Sequence, residues 1–166
     1  ASELPRLRLW CCFGAAPLLH AVHRRIAGSP VLRDHVTLVG ARPHAEMEQR
    51  YRAADFYLQT SHREGSGYSL IEALACGTPA IASDIPPTRR IVGDTGSLTP
   101  VGDVHRMAES LVAWSARDRA ALRRAARARF ETALSFDAIG RDLRTAYETL
   151  AATRPSRVTW LAAFLA

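Results

Sequence analysis

Glu64 and Glu72 stand eight positions apart, and Gly65, Ser66, Gly67, Tyr68 and Ser69 lie between them in a stretch that runs on to Gly77 and Pro79. Two glycines leave a loop without the Cβ atoms that would keep a ligand away from its backbone. A helix starting at Ser69 would offer unpaired N–H groups and the positive end of its dipole to an anion. The carboxylates repel that anion but accept hydrogen bonds from hydroxyls beside it. An anion flanked by hydroxyls is the chemistry of a nucleotide sugar.

Each of these residues also has a plainer reading. Ser69 and Glu72 fit a capping box, with serine at the N-cap and glutamate three residues on, which would explain Glu72 with no ligand. Glu64 reads equally as a solvated loop acid, and Gly65 and Gly67 as turn glycines. Arg63 could clamp a phosphate or only border the loop. His62 reads as a loop residue with a local hydrogen bond, and His20, His23, His35, His44 and His105 show no ligand-like spacing and are assigned no chemistry and no metal. Whether Tyr57 and Tyr68 belong to the core or the rim stays open.

The elements that must hold this segment alternate. Apolar residues from Leu7 to Phe13 predict a buried strand, and the spacing of Leu18, Leu19, Val22 and Ile26 predicts a helix ending near Gly28. Strands are expected at Val36–Val39, Phe56–Leu58, Pro79–Ala82 and Gly96–Thr99. Helices are expected at Glu46–Ala54, Ser69–Gly77, after Pro86-Pro87, and at Val104–Trp114, Asp118–Ala133 and Phe136–Ala152. This order predicts an α/β fold with a mostly parallel sheet and helices on both faces. In such sheets ligands sit beyond the carboxyl ends of the strands. The loops after Gly14, Gly40 and Leu58 should therefore share one rim.

The chain has 166 residues, 48% hydrophobic, enough for one domain with its own core. All 22 basic residues are arginine, and the formal charge is +6. The arginine-rich run from Arg117 to Arg129 reads as a solvated helix face, with an anionic membrane surface or nucleic acid as the sharper alternatives, and of these nucleic acid is not expected as a partner. Three cysteines without metal or disulfide spacing suit a reducing cytoplasm. No signal-peptide pattern and no run of membrane-spanning length is present in the sequence. The tail at Val158–Leu165 is apolar. It is expected to pack back on the domain, or to touch a second domain or the inner face of a membrane.

The run from Glu64 to Pro79 resembles the E-G-x-G-x-x-x-x-E-A-x-A-x-G-x-P signature of the GT-B glycosyltransferases of family 4, the "group 1" enzymes, and the likeness extends from about Leu7 to Tyr147. The resemblance implies a Rossmann-like three-layer sandwich forming the donor-binding, C-terminal half of such an enzyme (residues 1–152), with residues 153–166 as a tail. It implies retaining transfer of a sugar from a nucleotide diphosphate sugar, without metal or other cofactor. Glu64 would contact the donor sugar and act as the catalytic-site acid, orienting the ring rather than attacking it. The amides at Gly67, Tyr68 and Ser69 would hold the diphosphate, Glu72 the ribose, and the loop at Ala41 and Arg42 would lie against the base. Gly65 and Ser66 complete the donor loop, although the family often has an aromatic residue in place of Ser66. The family's first donor-domain strand, its arginine–lysine segment and its acceptor domain have no counterpart in this sequence. The expectation is therefore a fragment or split subunit, inactive alone and dependent on an acceptor-binding partner. A non-catalytic nucleotide-sugar-binding or assembly module, and a related GT-B epimerase, are the alternatives.

Overall fold

The computed structural model describes residues 4–153. The apolar tail singled out above lies outside the described residues. The order is β1 (Leu9–Cys11), α1 (Leu19–Ala27), α2 (Pro30–His35), β2 (Val36–Leu38), α3 (His44–Ala53), β3 (Tyr57–Gln59), α4 (Tyr68–Ala75), β4 (Ala80–Ser83), α5 (Pro86–Val92), β5 (Ser97–Thr99), α6 (Val104–Ser115), α7 (Arg119–Arg129), a π-helical turn (Phe130–Leu134) and α8 (Phe136–Ala152). The alternation and the parallel pairing agree with the α/β reading. The strands form two ladders rather than one. β1 pairs with β2, and β4 lies between β3 and β5, all in parallel.

The core is built around α4 and β4. All four residues of β4 are buried, which marks a central strand. Leu70, Ala73 and Leu74 recur at helical spacing and form the buried face of α4. Leu70 and Leu74 meet Ala80, Ile91, Val92 and Ala126, with Tyr57, Leu98 and Phe130 packed at the margin. Helices α1 and α2 bury no residue completely. Along α8 the apolar residues Phe136, Ile139, Leu143, Tyr147 and Leu150 are exposed. No helix of the described residues is long and apolar enough to cross a membrane.

The arginine-rich run proves to be more than a solvated face. Asp118 caps α7 by accepting from the Ala120 and Ala121 N–H groups. From α7, Arg123 donates to the carbonyl oxygens of Ala54 at 2.9 Å, Arg52 at 3.1 Å and Cys76 at 3.3 Å. Arg127 donates to Ala75 O and Arg129 to Ile91 O and Arg90 O. These carbonyls close α3, α4 and α5, where the last helical turn leaves acceptors unpaired and the dipole end is negative. Guanidinium groups satisfy both demands at once. Periodicity shows which face of α7 is charged but not that long side chains bend back onto neighbouring helix ends.

Replacing Arg123 by alanine leaves three carbonyls short of a donor, a loss of about 1–3 kcal/mol. The expected outcome in thermal denaturation is a Tm lower by roughly 3–10 °C. Arg123→Lys should recover only part of it, because an ammonium lacks the planar fork.

Candidate functional site

The site is set by how the chain enters α4. Gly67 occupies the N-cap position in the left-handed conformation, φ 64° and ψ 30°, and no side chain caps the helix. A Cβ at Gly67 would fall 2.5 Å from Ile91 Cδ1 and 3.8 Å from Glu64 Cγ. The left-handed backbone is what calls for glycine here, since the end of the Ile91 side chain can shift aside. The Leu70 and Ile71 N–H groups turn back to Gly67 O, each at 3.0 Å. Among the described residues, the Tyr68 and Ser69 amides have no acceptor. The helix therefore starts one residue earlier than expected, and Ser69 lies inside its first turn.

That shift removes the capping box. Ser69 Oγ accepts from the Tyr57 hydroxyl at 2.8 Å, and Glu72 Oε2 accepts from the Tyr51 hydroxyl at 3.2 Å. Ser69 and Glu72, three residues apart, share one face of α4, while Leu70, Ala73 and Leu74 face the core. The two tyrosines support each other edge to face, with ring centroids 5.9 Å apart. Tyr51 is 6% exposed. Burial first, and then the Glu72 carboxylate, hold its phenol far above the usual value, so it remains a neutral donor to Glu72. Burial likewise raises Tyr57, outweighing the lowering effect of its bond to Ser69.

Glu64 is half-buried rather than a free loop acid. Its Oε2 accepts from Gln59 Nε2 at 2.5 Å and from Ser61 Oγ at 3.4 Å. Its Oε1 accepts from the Gly65 N–H at 3.1 Å. Gly65 differs from Gly67: a Cβ there would meet nothing within 4 Å. Ser66, Tyr68 and Ser69 are exposed on the outer side of the loop.

Arg42 and Arg63 are exposed, and among the described residues neither forms a hydrogen bond or ion pair. Arg42 lies between Gly40 and the start of α3, two residues before His44. His44 Nδ1 lies 3.7 Å from Glu72 Oε1, so the loop after β2 is close to the α4 site, as the shared-rim expectation required. The sequence reading passed over His44, Tyr51 and Gln59 as site neighbours. His44 and Tyr51 reach Glu72 from more than twenty residues away and Gln59 reaches Glu64 across the turn after β3, through contacts that periodicity does not encode. A cavity of about 610 Å³ lies elsewhere, at the C-terminal end of α4 among Arg52, Cys76, Arg123, Arg124, Arg127 and Glu131. Several of these arginines are already committed to helix carbonyls or carboxylates. The α4 site is instead an open surface of unpaired amides between two held carboxylates, suited to an anion bearing hydroxyl groups.

Gly67→Ala should lower stability by about 1–2 kcal/mol, from the left-handed backbone. Gly65→Ala should leave the melting curve unchanged. Comparing the two melts checks which glycine the fold requires. A pH series supplies a further check. Tyr51 and Tyr57 stay neutral when folded but ionise near pH ~10 when unfolded. Their contribution is therefore fully present below pH ~10 and is lost as pH rises beyond it. The Tm of Tyr51→Phe should fall less steeply over that range than that of the unaltered chain.

The sequence model described as "Glycosyl transferases group 1" matches residues 24–129. The chain is 38% identical over 85 residues to a phosphatidyl-myo-inositol mannosyltransferase of Mycobacterium leprae, covering 49% of this chain and 23% of that protein. It is 32% identical over 120 residues to a D-inositol 3-phosphate glycosyltransferase of Mycolicibacterium smegmatis, covering 69% of this chain and 28% of that protein. Among solved structures, it resembles sucrose-phosphate synthase from Thermosynechococcus elongatus with a TM-score of 0.74 at 27% identity, over 92% of this chain and 41% of that one. HepE of Anabaena in complex with UDP shares the fold, with a TM-score of 0.73 at 21% identity over 87% of this chain and 42% of that one. The chain spans about a quarter of the length of these curated relatives.

Proposed function

The chain belongs to the group 1 glycosyl transferases, and from that premise we propose that it binds a nucleoside diphosphate sugar across the loop and first turn of α4, as the donor-binding part of a retaining glycosyltransferase. The observation that carries this reading is the pair of unpaired amides at Tyr68 and Ser69, set between Glu64 and Glu72.

In this reading the diphosphate lies against the amides of Gly67, Tyr68 and Ser69. The α4 dipole adds to their attraction. As the glycosidic bond breaks, the leaving diphosphate gains charge. Donors fixed in advance stabilise that charge more in the transition state than in the ground state, so no metal ion is required by the proposal. Glu64, held on both oxygens, accepts from donor-sugar hydroxyls and favours the positive charge developing on the ring. Glu72 accepts from the ribose, with Tyr51 keeping it in place. Arg42 and Arg63, exposed on either side, are the side chains proposed for the base and the phosphates. Ser66 and Gly65 let the backbone close on the donor. Three free thiols suit a cytoplasmic setting for this chemistry.

Transfer to an acceptor is proposed to need residues beyond this chain, supplied by a longer polypeptide or a partner. The 166-residue chain alone should bind donor and not turn it over.

Titration calorimetry with UDP-glucose and GDP-mannose tests the reading. At least one should bind, and Glu72→Ala should weaken it by roughly tenfold or more, the scale of a lost hydrogen bond to a charged group. Gly65→Ala should weaken binding while leaving Tm unchanged. Unaltered affinity in both variants would contradict the proposal.

A further inference from the structure

Gln59 ends β3 opposite Ala82 of β4 and is 5% exposed. A carboxylate only accepts hydrogen bonds, so the amide must present Nε2 to Glu64, and the 2.5 Å contact to Glu64 Oε2 fixes its orientation. Nε2 also lies 3.4 Å from Ser61 Oγ. The consequence falls on the other end of the amide. Gln59 Oε1 is buried and has no hydrogen-bond partner among the described residues.

A buried, half-satisfied amide weakens a fold. An apolar side chain of the same length would fill this place without leaving an acceptor stranded. Packing therefore does not explain glutamine at the end of β3; its contact with Glu64 does. Ser61 reaches the same carboxylate oxygen at 3.4 Å and the Gly65 amide holds the other from within the loop. Of the three groups on Glu64, only Gln59 is anchored in the strand ladder. Local cost kept beside a site is the pattern expected where function opposes stability.

We propose that Gln59 is a positioning residue that fixes the Glu64 carboxylate for the sugar half of a nucleoside diphosphate sugar. It acts through Glu64 and does not touch the nucleotide, so it governs the preference for the sugar-bearing ligand over the bare diphosphate. The inference rests on the function proposed above.

The test uses the full chain with four probes, UDP-glucose, GDP-mannose, UDP and GDP, together with thermal melts. Gln59→Met keeps length and volume and removes the amide. The expected result is a Tm equal to or above that of the unaltered chain, an unchanged affinity for the nucleoside diphosphate, and a roughly tenfold fall in the ratio of nucleotide-sugar to diphosphate affinity. Glu64→Gln should lower the same ratio, and the double variant should lose little beyond either single change, because one residue acts through the other. A collapsed Tm, a parallel loss for all ligands, an unchanged ratio or additive losses would each overturn the positioning role. If the unaltered chain binds none of the four probes, the proposed function itself fails and this inference falls with it. If it binds and the ratio is unmoved, only the role of Gln59 fails.

Discussion

At Gly67 the chain turns from a loop into α4 with a left-handed backbone, a conformation that side chains with a Cβ rarely adopt, and packs against the end of the Ile91 side chain. The site depends on that turn. It places Gly67 O where both Leu70 and Ile71 can reach it. It brings the Glu64 side chain alongside the helix start. It also leaves the N-cap position without a side chain, so the next two amides stay unpaired. A serine or aspartate cap would steady the helix by about 1 kcal/mol and compete for the Ser69 N–H, one of the donors an anion needs. The helix is stabilised at its other end instead, where Arg123 and Arg127 hold the carbonyls of Cys76 and Ala75.

This division of labour gives the two ends of α4 opposite characters. The C-terminal end is closed by guanidinium groups and packed over α7. The N-terminal end is open, with its polar groups tied down one layer back, through Tyr51 to Glu72, Tyr57 to Ser69 and Gln59 to Glu64. Each supporting residue comes from α3 or β3, which are adjacent to α4. Side chains that are already oriented lose little freedom when a ligand arrives. The same arrangement explains why the cavity at the C-terminal end of α4 and the proposed site do not coincide: a cavity can form between packed helices, while the amides lie on an open rim.

Much of this was legible in the sequence, and the exceptions have physical reasons. The order of strands and helices followed from hydrophobic spacing and from glycine and proline breaks. β3 is displaced by one residue, to Tyr57–Gln59, which puts Gln59 inside the ladder. The short helix α2 carries a signal in Ser29-Pro30, a capping serine followed by proline at the first helical position, but six residues are too few to show a period. The capping box at Ser69 and Glu72 was a sound local pattern overruled by tertiary contacts, since Tyr57 and Tyr51 claim those two side chains. The role of α7 was legible only as charge. Where its arginines reach depends on α3, α4 and α5 ending beside it.

The central claim is that the amides opening α4 receive the phosphates. A crystal structure of the chain soaked with UDP and, separately, GDP tests it most directly. The account predicts diphosphate oxygens within hydrogen-bonding distance of the Tyr68 and Ser69 N–H groups, with the ribose beside Glu72. Diphosphate bound instead among Arg52, Arg123, Arg124 and Arg127, with the start of α4 empty, would contradict it.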